Sequence, residues 1–220
     1  MRDINQTIIN LDYDQNYKNE DFYISKSNKH VFNFLNLWPK WEKNFVNIIG
    51  DKLSGKTHLM KIFLKKNKGI SLDSKFLKDD DFRKLKIYKN IVVENLNSEV
   101  NEKILYSLFN IIEQDNKYII VTSLKPIVNL NFNLEDLRSR AKNFLLLEIE
   151  KPDDELIFAI ILKNLSDRQI SLDNKLINYT IKRIERSYSK IYDLIYKIDQ
   201  LSLKKKKSID LKIIKEVLGE

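Results

Sequence analysis

Two of the four glycines in this chain lie five residues apart in one segment, and this segment constrains the possible fold more than any other feature. It reads Gly50-Asp51-Lys52-Leu53-Ser54-Gly55-Lys56-Thr57. The order of residue types is G-x-x-x-x-G-K-[ST], the pattern of a phosphate-binding P-loop. Residues 45–49 before it are mostly apolar and β-branched, and Leu59, Ile62 and Phe63 after it have helical spacing. The segment therefore predicts a strand, a phosphate-binding loop and a helix in succession.

The residue types in the loop determine what it can bind. Gly55 lets the backbone approach a phosphate closely, and the helix that follows presents a partial positive charge at its N-terminus. Lys56 is placed to reach the β- and γ-phosphates, and the Thr57 hydroxyl to coordinate Mg²⁺. We therefore predict that residues 50–58, up to and including His58, bind ADP or ATP with Mg²⁺. The alternative is an ordinary strand–turn–helix with a glycine in its turn, which would need neither the lysine nor the threonine.

Short apolar strands and helices alternate through the first two thirds of the chain. The predicted strands begin near Phe45, Gly69, Ile91, Tyr118 and Phe144. Such alternation is typical of right-handed crossovers between parallel strands. It predicts an α/β fold with a five-stranded parallel sheet flanked by helices.

The pattern changes after Pro152. From there on only helices are predicted, over residues 153–165, 174–186, 188–203 and 211–218. We therefore divide the chain into a flexible N-terminal tail, an α/β nucleotide-binding domain and a small all-α domain, over residues 1–20, 21–150 and 151–220.

Composition narrows the class of protein and of partner. The net charge is +8, from 39 basic and 31 acidic residues, which suits a partner rich in phosphate or in acidic groups. The chain has no cysteine and two histidines, so it offers neither a disulfide framework nor a metal site of the cysteine–histidine type. No apolar run is long enough to cross a bilayer, and no signal peptide is recognisable at the N-terminus. We therefore expect a cytoplasmic protein with no membrane partner.

A P-loop ATPase needs acidic residues at the end of a neighbouring strand. Here the third strand runs into Glu94 and Asn95. Glu94 can coordinate Mg²⁺, although it could also simply end the strand. Asn95 cannot act as a general base because an amide does not titrate in the useful range. We therefore predict weak or no intrinsic ATP hydrolysis.

Two further segments carry arginines. Arg138 and Arg140 lie in the segment 134–140, which we interpret as a loop. These arginines could pair with the neighbouring acids at a helix end, or one could act as an arginine finger that completes the active site of a neighbouring subunit. In the all-α region, Arg186 lies in the basic segment 182–188, which could fold over the nucleotide.

Taken together, these features resemble the AAA+ ATPases. The closer resemblance is to the DnaA initiator family, and within it to the DnaA-related regulators of the Hda type. It covers nearly the whole chain. It rests on the segments 21–24, 27–28, 50–59, 119–123, 136–140, 152–156, 186–188 and 199–203.

The resemblance implies a fold, a function and partners. The fold would be an AAA+ core with a C-terminal helical lid. The function would be to stimulate ATP hydrolysis by the initiator DnaA in trans, with Arg140 as the arginine finger and Arg186 near the nucleotide. The DNA polymerase III sliding clamp would be a second partner, through an N-terminal motif at Gln6, Ile8, Ile9 and Leu11. Contact with DNA would be indirect. The protein could also form a homodimer.

Two observations favour a regulator over an initiator. In the family an initiator carries a C-terminal helix-turn-helix domain after the lid, whereas this sequence stops at Glu220, and we expect that domain to be absent. The positions that sense the γ-phosphate in the family match Leu124 and Ser189, which suits a protein that holds ADP.

Two other functions are compatible with the same residues. The chain could be a nucleotide-dependent adaptor that recruits other replication proteins without affecting their hydrolysis. It could also be a DnaA-like or helicase-loader ATPase stimulated by DNA. The net charge of +8 favours the ATPase, and Asn95 opposes it.

Overall fold

The computed structural model describes residues 22–205 and 209–219. Five strands alternate with helices and are followed by helices alone. The strands are β1 (Phe45–Gly50), β2 (Gly69–Asp73), β3 (Asn90–Leu96), β4 (Tyr118–Ser123) and β5 (Leu145–Ile149). The helices are α1 (Lys29–Asn36), α2 (Lys56–Asn67), α3 (Asp81–Leu85), α4 (Glu102–Gln114), α5 (Glu135–Ala141), α6 (Asp154–Asp167), α7 (Asn174–Ile181), α8 (Tyr188–Lys205) and α9 (Leu211–Leu218).

The strands form one parallel sheet in the order β2-β3-β4-β1-β5. Strand β1 therefore lies inside the sheet, where Val46 pairs with Ile120 of β4 and with Leu145 of β5. A parallel sheet covered on both faces needs strands that are apolar on both sides, which is what the runs of Val and Ile provide. The predicted five-stranded parallel α/β fold is confirmed.

The alternation of side chains along each strand produces two hydrophobic cores. In β3, Ile91 and Val93 face a core that α4 completes with Leu105, Leu108 and Phe109. The residue between them belongs to the opposite core, which is completed by helices α1 and α2. The sheet is thus the middle layer of a three-layer arrangement.

A third core joins the C-terminal helices. It is built from Ile and Leu side chains of α6, α7, α8 and α9, among them Ile157, Ile161, Ile177, Ile191 and Ile214. Helix α6 begins where the Asp153 carboxylate accepts a hydrogen bond from the Leu156 N–H, as an N-cap. The expectation of a helical C-terminal part is confirmed.

Two elements differ from the prediction. The segment carrying Arg138 and Arg140 is helix α5, not a loop; Leu137 and Ala141, one turn apart, are buried. Its first turn is acidic and its last turn basic, which complements the helix dipole. Helix α7 ends at Ile181 rather than near residue 186. No glycine or proline marks the end of α7 in the sequence, and the helical spacing of apolar residues continues past Ile181. The predicted helix was therefore too long.

Across the described residues, none of the helices combines the length and the apolar character needed to span a membrane. The predicted clamp-binding residues Gln6, Ile8, Ile9 and Leu11 lie outside the described residues.

Candidate nucleotide-binding site

The P-loop joins β1 to α2 at the carboxyl edge of the sheet, where ligands of parallel α/β folds bind. Its two glycines are required for different reasons. A Cβ atom on Gly50 would lie 2.8 Å from Ser54 Oγ and 3.1 Å from the Ile149 carbonyl oxygen. Gly55 has φ +93°, a left-handed conformation that side chains disfavour, and it caps the start of α2. The loop can therefore pack this tightly only with glycine at both positions.

The loop has the backbone geometry of an anion site. Leu53 has φ +66° although it is not a glycine, so left-handed residues flank Ser54 on both sides. Such alternation turns successive N–H groups toward one point. A strained residue of this kind persists where the surrounding structure imposes it, which is common at functional sites.

Lys56 lies at the centre of this loop. Its Nζ donates hydrogen bonds to the Gly50 and Asp51 carbonyl oxygens, at 2.6 and 2.8 Å. Burial lowers the pKa of Lys56 below its ordinary value, and the nearby Asp51 carboxylate partly offsets this. A half-buried ammonium whose hydrogen bonds go to uncharged oxygens is a cation to which a phosphate group would bind well. The residues present therefore fit the phosphate groups of a nucleotide.

An aromatic residue that the sequence analysis missed covers the loop. The Phe22 ring stacks on Phe32 with centroids 6.3 Å apart and meets the His58 ring edge-on at 5.4 Å. A Cβ atom on Gly55 would lie 3.1 Å from the Phe22 ring. Phe22 thus packs directly against the P-loop and orients His58.

The acidic side of the site lies on β2 and β3. Glu94 is nearly buried, and its carboxylate accepts a hydrogen bond of 2.7 Å from the Ser71 hydroxyl. Asn95 has φ +61°, and its side-chain amide donates to Asp73 Oδ2 at 2.7 Å. Ser71 and Asp73 were not among the predicted residues, because a strand as short as β2 gives no sign of which strand it neighbours.

A bound Mg²⁺ would have few protein ligands. In the described ranges, no three His, Cys, Asp or Glu side chains form a group that could hold a metal ion. Glu94 and Thr57 are the predicted ligands, and phosphate and water oxygens would complete the shell, as is usual for this ion.

A buried asparagine ties the end of β4 to β1. The Asn47 amide nitrogen donates to the Val121 carbonyl at 3.1 Å and to Ser123 Oγ at 2.9 Å. Its amide oxygen accepts a hydrogen bond of 2.8 Å from the Ile127 N–H. This side chain fixes the loop after β4 beside the P-loop strand. The signal in the sequence was a single amide within an apolar strand.

Replacing Asn47 with leucine is expected to lower the free energy of unfolding by about 2–3 kcal/mol, because buried backbone groups lose their partner. Urea unfolding measures this. Asn36→Ala is the matched control, since the Asn36 amide is exposed and its loss should cost no more than about 0.5 kcal/mol. Equal losses in the two variants would show that the Asn47 network does not stabilise the fold.

The two arginines of α5 have different surroundings. The Arg140 guanidinium donates to Glu113 Oε2 at 2.7 Å and to Asn110 Oδ1 at 2.6 Å, and it lies 5.5 Å from the centre of the Tyr106 ring. Its side chain is 24% exposed. Arg138 is 54% exposed and pairs with Glu135 at 3.4 Å. The predicted finger is therefore held within the chain.

The N-terminal turn, the start of α6 and α8 meet in one polar network. The Ser27 N–H donates to Asp153 Oδ2, and the Glu150 N–H donates to the Ser27 carbonyl. The Tyr188 hydroxyl, from the first residue of α8, donates to the Glu150 carbonyl at 3.0 Å. Although Tyr188 belongs to the helical part, its ring is buried in the core beneath α1 and α2. It therefore anchors α8 to the α/β part of the molecule.

Arg186, the predicted lid residue, lies in the connection between α7 and α8. It pairs with Asp154 at 2.9 Å, and both side chains are 60% exposed. Asp154 is the first residue of α6. The structure thus places Arg186 against the start of α6, in an ion pair that solvent screens.

Burial raises the pKa of Tyr188 to about 12. Because the folded state favours the neutral phenol, this stabilisation is complete below the ordinary pKa of about 10 and is lost as the pH rises from there toward 12. We expect Tyr188→Phe to lower the free energy of unfolding by about 1 kcal/mol at pH 7. The difference between wild type and variant should then shrink above pH 10.

Urea unfolding between pH 7 and pH 11 tests this expectation. Tyr196→Phe is the control, because Tyr196 lies on the same helix but is 52% exposed. A difference for Tyr188→Phe that stays constant with pH would contradict the assigned role of its hydroxyl.

Comparison with known proteins places this site in context. No family model matches the chain. It is 26% identical to the chromosomal replication initiator protein DnaA of Helicobacter hepaticus, over 92% of this chain and 50% of that protein. It is 25% identical to DnaA of Buchnera aphidicola, over 98% of this chain and 55% of that protein. The chain thus spans about half the length of these two relatives.

A relative from Haemophilus influenzae, an uncharacterized protein, is 24% identical over 80% of this chain and 81% of its own length.

Among solved structures, domain III of Thermotoga maritima DnaA superposes with a TM-score of 0.72 at 21% identity, covering 92% of this chain and 95% of that domain. DnaA bound to AMPPCP and single-stranded DNA superposes with a TM-score of 0.65 at 19% identity, over 86% of this chain and 68% of that one. The Holliday junction branch migration motor RuvB of Thermotoga maritima gives 0.61 at 17% identity, over 80% of this chain and 61% of that one. The chain therefore has the fold of DnaA domain III and is similar in sequence to DnaA proteins.

Proposed function

We propose that this protein is a nucleotide-dependent regulator of replication initiation that stimulates ATP hydrolysis by DnaA in trans, in the manner of the Hda-type regulators. The proposal rests on the residue type and the hydrogen bond of Asn95. Asn95 is the residue that we predict to stand in place of the catalytic acid, and its amide donates a hydrogen bond to Asp73. In this proposal the P-loop site would bind a nucleotide, and residue 95 could not act as the base for its hydrolysis because an amide does not titrate in the useful range.

In this proposal the nucleotide is a structural ligand. ADP or ATP would bind with its phosphates on Lys56 and the loop amides, and Mg²⁺ would bind at Thr57 and Glu94. Arg186 would approach the nucleotide after leaving Asp154. Bound nucleotide would fix the helical part relative to the sheet, through the network that includes Tyr188.

The catalytic contribution would be made at the partner's site. Arg140 would act as the arginine finger toward ATP bound to DnaA. The N-terminal residues Gln6, Ile8, Ile9 and Leu11 would dock on the sliding clamp, and contact with DNA would be indirect.

The test is a reconstituted hydrolysis assay. Purified protein with ADP is added to ATP-loaded DnaA in the presence of clamp loaded on DNA, and ADP formation is followed. We expect hydrolysis to accelerate, and to accelerate less when the clamp is left out. Vigorous hydrolysis by the isolated protein, or no effect on DnaA, would contradict the proposal.

A second candidate is a DNA-stimulated ATPase of the DnaA or helicase-loader type. The segment between β2 and β3 favours it, because Phe76 and Ile87 are 66% and 80% exposed there. The segment carries basic residues, including Lys75 and Lys86, as well as the acidic run of residues 79–81. Exposed aromatic and basic residues together are typical of surfaces that bind single-stranded nucleic acid. Turnover by the isolated protein that rises on addition of single-stranded DNA would support this candidate over the regulator.

A further inference from the structure

One face of α4 forms a binding surface for a single side chain. Tyr106, Asn110 and Glu113 follow each other at helical spacing, so all three lie on the same side of the helix. Each contacts the Arg140 guanidinium: the ring lies under it, the amide oxygen accepts from one terminal nitrogen, and the carboxylate accepts from the other. We call these three residues the α4 cradle.

The backbone on which Arg140 is carried is firmly held. Leu137 and Ala141 are buried and fix α5 against the core. At the other end of α5, the Glu102 carboxylate accepts hydrogen bonds from the Asn133 and Leu134 N–H groups. The hydrogen bond from the Asn133 N–H lowers the pKa of Glu102, which favours the charged carboxylate that makes these contacts. Helix α5 is thus tied to α4 at both ends, and access to Arg140 depends on its side chain.

The cradle engages both terminal nitrogens of Arg140 and holds the guanidinium against α4. An arginine recognises phosphate through paired N–H groups of its planar guanidinium. Both terminal nitrogens of Arg140 are already engaged, one by Glu113 and one by Asn110. Each terminal nitrogen has a second N–H group, but while both contacts are kept the guanidinium stays against α4 and cannot move out to a partner's triphosphate.

From this geometry we infer that Tyr106, Asn110 and Glu113 are positioning residues that withhold Arg140, and that docking on a partner's bound nucleoside triphosphate releases it. The inference rests on the proposed function, in which Arg140 acts in trans. Release is feasible because Glu113 is 65% exposed, so water screens its attraction for the guanidinium. A triphosphate carries several negative charges at the destination and competes with this single carboxylate. The Arg140 side chain would then leave α4 only when a partner's bound triphosphate is close to it.

The first test uses the isolated protein. Glu113→Gln keeps the shape of the side chain and removes its charge. Modification of Arg140 by phenylglyoxal, followed by mass spectrometry, is expected to be about fivefold faster in this variant than in wild type. Glu135→Gln is the matched control, since Glu135 pairs with Arg138 instead, and it should leave the Arg140 rate unchanged.

The second test uses the hydrolysis assay with ATP-loaded DnaA. Glu113→Gln should lower the concentration for half-maximal stimulation about fivefold and leave the maximal rate unchanged. Glu113→Asp should restore the wild-type value in part, and Glu113→Gln combined with Arg140→Ala should not stimulate.

The two experiments distinguish a failure of the withholding role of the α4 cradle from a failure of the proposed function. An Arg140 modification rate that does not change in Glu113→Gln, or a lower maximal stimulation by that variant, would overturn the withholding role. If wild type does not stimulate DnaA, the proposed function fails, and the modification rates alone still decide whether Glu113 shields Arg140.

Discussion

A variant with alanine in place of Lys56 is expected to bind ADP and ATP about a hundredfold more weakly than wild type. Lys56 is the half-buried cation of the P-loop, and its ammonium lies 2.6 Å from the Gly50 carbonyl oxygen. A phosphate in the loop would lose its charged partner, whereas the glycines that shape the loop would be unaffected. Titration with a fluorescent ADP analogue measures the affinity.

The pH dependence of nucleotide affinity is a second measurement of the role of Lys56. Burial lowers the pKa of Lys56, and phosphate charges favour its protonated form. Binding at a pH above the lowered value therefore takes up a proton, and the affinity of wild type should fall as the pH rises through that range. Lys65→Ala is the control, because Lys65 is exposed near the other end of α2. Equal affinity of Lys56→Ala and wild type would remove the main support for a nucleotide site.

Replacing Arg140 with alanine is expected to abolish stimulation of DnaA and return hydrolysis to its basal rate. Arginine fingers contribute about a thousandfold or more to the rate of such reactions, because they stabilise charge that develops on the transferred phosphoryl group. The reconstituted assay with clamp and DNA measures the loss at saturating protein. Nucleotide affinity of the variant should stay within about twofold of wild type, since Arg140 contacts α4 and not the P-loop.

Arg138→Ala is the matched control for this prediction. Arg138 lies on the same helix and is more exposed, with its carboxylate partner one turn away. The control should stimulate nearly as well as wild type. If Arg140→Ala stimulates fully and Arg138→Ala does not, the finger has been assigned to the wrong arginine of α5.

The P-loop of the candidate nucleotide site could be recognised from the sequence because its residues are adjacent along the chain. Gly50, Gly55, Lys56 and Thr57 lie in or next to a loop of fixed length, and the apolar flanks define the strand and the helix around it. The parallel sheet also followed from local patterns, since its β-branched strands alternate with helices. These features depend on residues that are near neighbours along the chain.

The contacts that could not be predicted join residues far apart in sequence. Asp73 meets Asn95 because β2 and β3 are neighbours in the sheet, and Phe22 meets Gly55 because the N-terminal turn packs over the loop. Asn47 was hidden within an apolar strand. The interpretation of residues 134–140 as a loop was wrong because α5 is too short for its few apolar residues to show a period.

By itself, the sequence determined that this protein has a P-loop between a strand and a helix of a parallel α/β sheet, that helices follow the sheet, and that an amide, Asn95, comes directly after Glu94. The sequence also identified Arg140 as a candidate arginine finger, but it did not show which residues the guanidinium contacts. Only the tertiary structure decided that the guanidinium lies in the α4 cradle and that Asn95 is bound to Asp73. The physical reason is that a side chain's charge and shape are local, whereas its availability depends on whichever elements the core packs beside it.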